Sequence, residues 1–143
     1  MNILFLEDRG ASESPVNDWL QEEGHHVLDA FNPADAQSIW DNRTVLPIDC
    51  IIVDLNMPAD GLTDGQKERS HGGVLSGWVW LKDNVLDGSP EMKSRTIIHS
   101  DYIDIFRENV SEKEYVGISL FPKRHRSGSA KEVAARIREI ARG

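Results

Sequence analysis

Residues 50–58, Cys50-Ile51-Ile52-Val53-Asp54-Leu55-Asn56-Met57-Pro58, decide how the rest of the chain is read. A short unbroken apolar run, mostly β-branched, reads as a strand covered on both faces, the arrangement of a parallel sheet. The run ends on a carboxylate, Asp54, and Pro58 blocks simple continuation of the strand. Ligands of open α/β sheets bind beyond the carboxyl ends of the strands, so Asp54 stands where chemistry is expected. An Asp at a strand end is also a common turn-former or helix cap. A site therefore requires that other strands deliver functional groups to the same edge.

Length and composition bound the possibilities. At 143 residues the chain suits one domain with a real core and leaves no room for a second. Hydrophobic residues at 39% and charged residues at 28% are ordinary for a soluble globular protein. Sixteen Lys+Arg against 24 Asp+Glu give a net charge of -8, which argues against nonspecific binding to nucleic acid or to an anionic membrane. One cysteine, Cys50, excludes an internal disulfide framework and a multi-cysteine zinc site. Within its apolar strand it reads as a packed small hydrophobe, not a nucleophile. The start, Met1-Asn2-Ile3, lacks a basic segment followed by a long apolar region, and no later run is long enough to span a bilayer. A cytoplasmic protein is expected.

Working outward, Ile3-Leu4-Phe5-Leu6 is a second apolar run, ending in Glu7-Asp8. Ser14-Pro15 is an N-cap followed by proline at the first helical position, and Val16, Trp19 and Leu20 give that helix an apolar face. Gly24 is placed to end it. Residues 25–30 read as a short strand, whose His25-His26 pair lacks a third ligand and is read as strand-edge histidine rather than a metal site. Asn32-Pro33 repeats the cap-plus-proline signal, and Ala36, Ile39 and Trp40 make the next helix amphipathic. Residues 59–73 hold four glycines and mixed charges with no apolar period, and loops of that length are uncommon unless functional or disordered.

A helix is predicted over 74–86, with Gly77 near its start and Trp78, Leu81 and Val85 on one face. Trp80 falls off that stripe, where it covers a helix flank or, if exposed, marks a contact surface. Thr96-Ile97-Ile98-His99 is the next strand, ending at Ser100, and 102–109 reads as a short helix. Residues 116–121 form the fifth strand, leading into Pro122-Lys123 and the basic run Lys123-Arg124-His125-Arg126. Ser129-Ala130-Lys131-Glu132 has the pattern of a capping box that opens the closing helix.

Strands and helices thus alternate five times, which gives an α/β fold with a parallel sheet wrapped on both sides. Polar groups converge on one sheet edge: Glu7 and Asp8 from strand one, Asp54 from strand three, Ser100 from strand four and Lys123 from strand five. Each alone is ordinary, and Lys123 also reads as a solvated lysine. Together they are a chemically complete set. Acidic groups hold Mg²⁺, which prefers one or two carboxylates plus phosphate oxygens and water. A carboxylate nucleophile forms an acyl phosphate, and a hydroxyl and an ammonium bind phosphoryl oxygens. Phosphoryl transfer needs little beyond such positioning and charge neutralisation.

The run Asp54-Leu55-Asn56-Met57-Pro58, with Glu7, Asp8, Ser100 and Lys123, resembles the pattern of response-regulator receiver domains over nearly the whole chain. The resemblance implies a flavodoxin-like (βα)5 doubly wound sheet in strand order 2-1-3-4-5. It implies that Asp54 is the phosphoacceptor, that Asp8, Asp54 and the backbone carbonyl of Asn56 contact Mg²⁺, and that Glu7 acts directly or through water. It assigns Ser100 as the switch hydroxyl and Lys123 as the signature lysine. The sequence departs from the pattern in three places. Pro122 precedes the lysine where the family usually has proline after it, Leu120 stands where an aromatic is common, and most of 59–76 is inserted.

The expectation is a single receiver domain over 1–143 with no output domain. It would be phosphorylated by a histidine kinase or phosphotransfer protein and would signal through an unidentified output protein. It would catalyse only its own phosphorylation and dephosphorylation. One rival is a pseudoreceiver, a phosphorylation-independent protein-binding module. The other, a haloacid-dehalogenase-like phosphatase, needs a second Asp two residues after the nucleophile, where this chain has Asn56.

Overall fold

The apolar runs pair as five parallel strands in the order β2-β1-β3-β4-β5 in the computed structural model, which describes residues 1–123 and 126–143, residues 126–128 by backbone alone. The strands are β1 (Asn2–Leu6), β2 (His26–Ala30), β3 (Cys50–Val53), β4 (Thr96–Ser100) and β5 (Ser119–Pro122). All four residues of β3 are buried, as an unbroken apolar run between two neighbouring strands and two helical layers requires. Its register sets Leu6 beside Val53 and Val53 beside Ile98, so β1 and β3 end level with one another while β4 runs two residues further, to Ser100.

Alternation along the strands divides the core into two layers. Leu4, Leu6, Ile51, Val53 and Ile98 face one side, under residues such as Trp40 of α2 (Pro33–Asp41), Trp78 of α4 (Ser76–Leu81) and Phe106 of α5 (Ile103–Asn109). Ile3, Phe5, Cys50, Ile52 and Ile97 face the other, under Val16 and Leu20 of α1 (Pro15–Glu22) and Val133, Ile137 and Ile140 of α7 (Arg126–Arg142). The two proline-led helices start where expected, with Ser14 and Asn32 accepting from the N–H groups of Val16 and Asp35. Cys50 is fully buried, and burial pushes its thiol up to about 12, consistent with a packing role. No helix among the described residues is long and apolar enough to cross a membrane.

Several expectations change. Residues 59–73 are not a featureless loop. They contain a short helix, α3 (Asp64–Arg69), opened by a reciprocal Thr63–Gln66 capping box, and Leu62 just before it is buried in the core. The segment is tied at both ends. Ala34 of α2 donates its N–H to Asp60 O at 2.9 Å, and Gln66 and Arg69 both bond Asp83 beyond α4. Gly61, at φ +95°, passes so close to the Ala34 backbone that a Cβ would lie 2.5 Å from its nitrogen, so only glycine fits this crossing. Polar capping and side-chain anchors replace apolar periodicity here, which is why the period alone showed nothing.

Trp80 does not form an exposed contact surface. It is 1% exposed, and its indole N–H donates to Gln37 Oε1 at 3.0 Å, locking α4 onto α2. The 74–86 helix begins at Ser76 and widens into a π-helical turn, Lys82–Leu86. A helix, α6 (Glu112–Tyr115), fills the stretch before β5, which therefore starts at Ser119 and not at residue 116. Helix α7 begins at Arg126, so Ser129 lies inside it and not at its N-cap. Of the basic run, Arg124 and His125 lie outside the described residues.

The Arg69–Asp83 pair is the main polar anchor of α3. Asp83→Ala is expected to cost about 1 kcal/mol or less in global stability, because Arg69 is half exposed. It should nonetheless strip hydrogen-exchange protection from 64–69 while leaving the sheet unchanged. Unaltered protection of α3 would show that the anchor lies elsewhere.

Candidate phosphoryl-transfer site

Three of the site's side chains stand just beyond a strand end, where the backbone is still held by the neighbouring strand. Glu7 N–H donates to Ala30 O of β2 at 3.0 Å, Asp54 N–H to Leu6 O of β1 at 2.9 Å, and Lys123 N–H to Ser100 O of β4 at 3.3 Å. Gly77 completes the frame by donating its N–H to Leu55 O at 2.9 Å, which presses the start of α4 against the chain after Asp54. The side chains are thus mounted on rigid backbone although none lies within a strand.

These ends open into a cavity of about 650 Å³. Glu7, Asp8, Asp54, Asn56 and Lys123 all line it. Lys123 is the hub. Its ammonium lies 2.7 Å from Glu7 Oε2 and 2.8 Å from Asp54 Oδ2, a bridge joining positions 116 and 69 residues apart in sequence. The bare solvated-lysine reading is therefore set aside. Burial pulls the Lys123 ammonium down, but the charges and hydrogen bonds of Asp54 and Glu7 outweigh it and hold the group above its ordinary value. Burial pushes the Glu7 carboxyl up to about 7, aided by a hydrogen bond with Asp8 and opposed by Lys123.

The carboxylates suit a hard cation. One oxygen each from Glu7, Asp8 and Asp54 lie within 4.8 Å of one another. Asp54 Oδ1 is buried without a hydrogen-bond partner, while Oδ2 is held by Lys123. An unpartnered carboxylate oxygen is costly to bury, so an incoming cation or electrophile has a ready acceptor there. Acidic oxygens beside a water-sized space are the donors that a hard cation such as Mg²⁺ takes, one or two of them binding it directly.

Ser100 is placed differently. It is fully buried at the end of β4, but its Oγ accepts the Tyr102 N–H at 3.2 Å, and it is not part of the cavity wall. Alternation points it to the layer of Ile98 and Leu120. The β4 side chain that faces the cavity is His99, 5% exposed, with Nε2 3.2 Å from Ser129 Oγ on α7. Burial, and then the Lys123 charge, push this imidazole down to about 4, so it is neutral near pH 7. Sequence reasoning passed over His99. The available signal was its phase, two residues after Ile97 on the face that carries Ile52 and then Asp54.

No protein-family model and no curated protein matches the chain. Solved structures do match it across nearly its full length. A response regulator receiver domain protein from Clostridium thermocellum is 21% identical, with 97% of this chain and 92% of that one covered and a TM-score of 0.65. The chemotaxis response regulator CheY4 of Vibrio cholerae is 16% identical over 95% and 97%, with a TM-score of 0.60. The receiver domain of the hybrid histidine kinase CckA is 22% identical over 96% and 99%, with a TM-score of 0.51. The chain has the flavodoxin-like fold of CheY-like response-regulator receiver domains, in the 2-1-3-4-5 strand order.

Proposed function

We propose that this chain is a phosphoacceptor response regulator, with Asp54 the phosphorylated residue. The observation that carries this reading is the asymmetry of the Asp54 carboxylate, on a side chain that lines the acidic cavity: Oδ2 is paired with Lys123, and Oδ1 is buried without a hydrogen-bond partner. In the forward step Oδ1 attacks the phosphorus of the donor. The bond from phosphorus to the donor's nitrogen or oxygen breaks, and its electron pair leaves with the donor. The product is an acyl phosphate on Asp54. Lys123 is then in reach of a phosphoryl oxygen as a second anionic partner, and it holds the carboxylate still during attack. Attack of water on phosphorus returns the carboxylate and inorganic phosphate.

Glu7, Asp8 and Asp54, with Asn56 beside them, would hold Mg²⁺. When bound it would supply neutralisation of the charge on the transferring phosphoryl group. The fold suggests a histidine kinase or phosphotransfer protein as donor, and the readout would be a protein contact. A pseudoreceiver is favoured by one feature, the Ser100 hydroxyl, which is spent on the Tyr102 N–H instead of facing the cavity.

One experiment separates the two. Incubated with Mg²⁺ and acetyl phosphate, the wild-type protein should gain the mass of one phosphoryl group. Asp54→Asn, nearly isosteric, should gain none while keeping its fold. An adduct that persists in Asp54→Asn, or that forms fully in EDTA, contradicts the assignment. Absence of any adduct on the wild-type protein supports the pseudoreceiver.

A further inference from the structure

The Lys123–Asp54 ion pair crosses a strand. In the sheet order, β4 lies between β3, which leads to Asp54, and β5, which leads to Lys123. The lysine side chain must pass over β4 to bring its ammonium 2.8 Å from Asp54 Oδ2 and 2.7 Å from Glu7 Oε2. The residue of β4 on that face and at that level is His99. Its strand neighbour two residues earlier, Ile97, shares a core layer with Ile52 and Phe121, the residues two before Asp54 and Lys123. Register agrees: Val53 pairs with Ile98 and Phe121 with His99. His99, Asp54 and Lys123 also line one cavity.

We propose that His99 is a positioning residue of this site: its ring is the floor on which Lys123 crosses to Asp54, and Ser129 of α7 fixes that ring. The inference rests on the phosphoacceptor reading only for its consequence in phosphoryl transfer; the placement of Lys123 stands by itself. The chemistry of the floor is specific. A cation there would repel the ammonium, and a small residue would leave the long lysine stem unsupported. A neutral imidazole offers a flat apolar face, and the Ser129 bond at 3.2 Å sets its rotation. Both partners are 5% exposed, so little motion is open to either. Helix α7 thereby joins the site through Ser129.

Four proteins test this: wild type, His99→Ala, Ser129→Ala and His99→Gln. Glutamine puts a side-chain nitrogen close to the place of Nε2 and so retains the bond to Ser129. The first readout needs no phosphorylation. A Lys ¹H–¹⁵Nζ resonance is seen when carboxylates hold the ammonium and slow its exchange, so Lys123 should be visible in wild type and in His99→Gln. It should be lost in His99→Ala and Ser129→Ala, with folding confirmed by circular dichroism. The second readout is acetyl-phosphate labelling, which should fall about tenfold in both alanine variants and by less than twofold in His99→Gln. Mg²⁺ affinity by calorimetry should stay within twofold in all four, because the acidic ligands are untouched.

A Lys123 resonance that persists in a folded His99→Ala overturns the proposal. So does failure of His99→Gln to rescue it. If wild type takes no phosphoryl group but the resonances behave as stated, the phosphoacceptor reading falls and the positioning role of His99 stands. Ser129→Ala serves as the mild variant should His99→Ala not fold.

Discussion

Gly77→Ala is expected to destabilise the protein by about 2 kcal/mol or more and to stop the proposed phosphoryl uptake at Asp54. A Cβ at this position would lie 2.1 Å from the Asp54 carbonyl oxygen and 2.9 Å from Val53 Cγ1. Neither neighbour can yield cheaply: the first is backbone at the end of β3, and the second is a fully buried core methyl. Overpacking of this kind typically costs about 1–3 kcal/mol, and contact with backbone places it at the upper end. Alanine recovers about 1 kcal/mol of helix propensity, which does not offset a clash of that depth.

Relief of the clash has to come from separating α4 and the 54–58 segment, and that movement breaks the bond from Gly77 N–H to Leu55 O. Asp54 is thereby displaced from the Lys123 ammonium that holds its Oδ2. Thermal unfolding and acetyl-phosphate labelling check this together. For a chain of this size the melting temperature should drop by roughly 6 °C or more. An unchanged melting temperature with normal labelling would show that the contact is not tight.

Lys123→Met should destabilise the fold by up to about 3 kcal/mol at alkaline pH and abolish efficient labelling. Methionine keeps much of the stem volume but withdraws the one cation within salt-bridge distance of Glu7 and Asp54 among the described residues. Removing one partner of a buried pair leaves uncompensated charge, a larger loss than the pair's own net contribution. The effect depends on pH, with a definite sign. Burial, the Asp8 hydrogen bond and the Asp54 charge raise Glu7, and Lys123 opposes them, so the variant's Glu7 has a pKa above the wild-type value of about 7. A carboxyl raised in the folded state binds its proton more tightly there than when unfolded, and stability is recovered as pH falls. The penalty should thus be greatest above the variant's Glu7 pKa. It should shrink towards pH 7 and level off below, where Glu7 is protonated in both folded proteins. Denaturant unfolding at pH 8.5 and pH 6.5 measures this. A penalty that grows on acidification would reverse the assigned sign.

Local chemistry made much of this molecule legible from sequence. The apolar run Cys50-Ile51-Ile52-Val53 reads as a strand covered on both faces, and the proline-led caps at Ser14 and Asn32 mark the starts of two helices. These signals are contained within a few residues, as are the carboxylates and the lysine at the strand ends. Five alternations then leave a wrapped parallel sheet as the economical solution, and the strand order followed from resemblance.

Tertiary structure decided the rest, because those features depend on partners far apart in the chain. Trp80 lies off the apolar stripe of its own helix yet is buried, since Gln37 of α2 meets its N–H. The segment 59–73 folds on polar caps and on Asp83, features that hydrophobic periodicity does not register. Ser129 has the local pattern of a helix cap but is spent on His99, thirty residues away. Only the strand order sets Lys123 across β4 from Asp54, which turns an ordinary strand-end lysine into the centre of the site and places His99 beneath it. Residue type and spacing say which groups reach one edge of the sheet; which of them touch depends on strand order and side-chain phase, and those are properties of the assembled sheet.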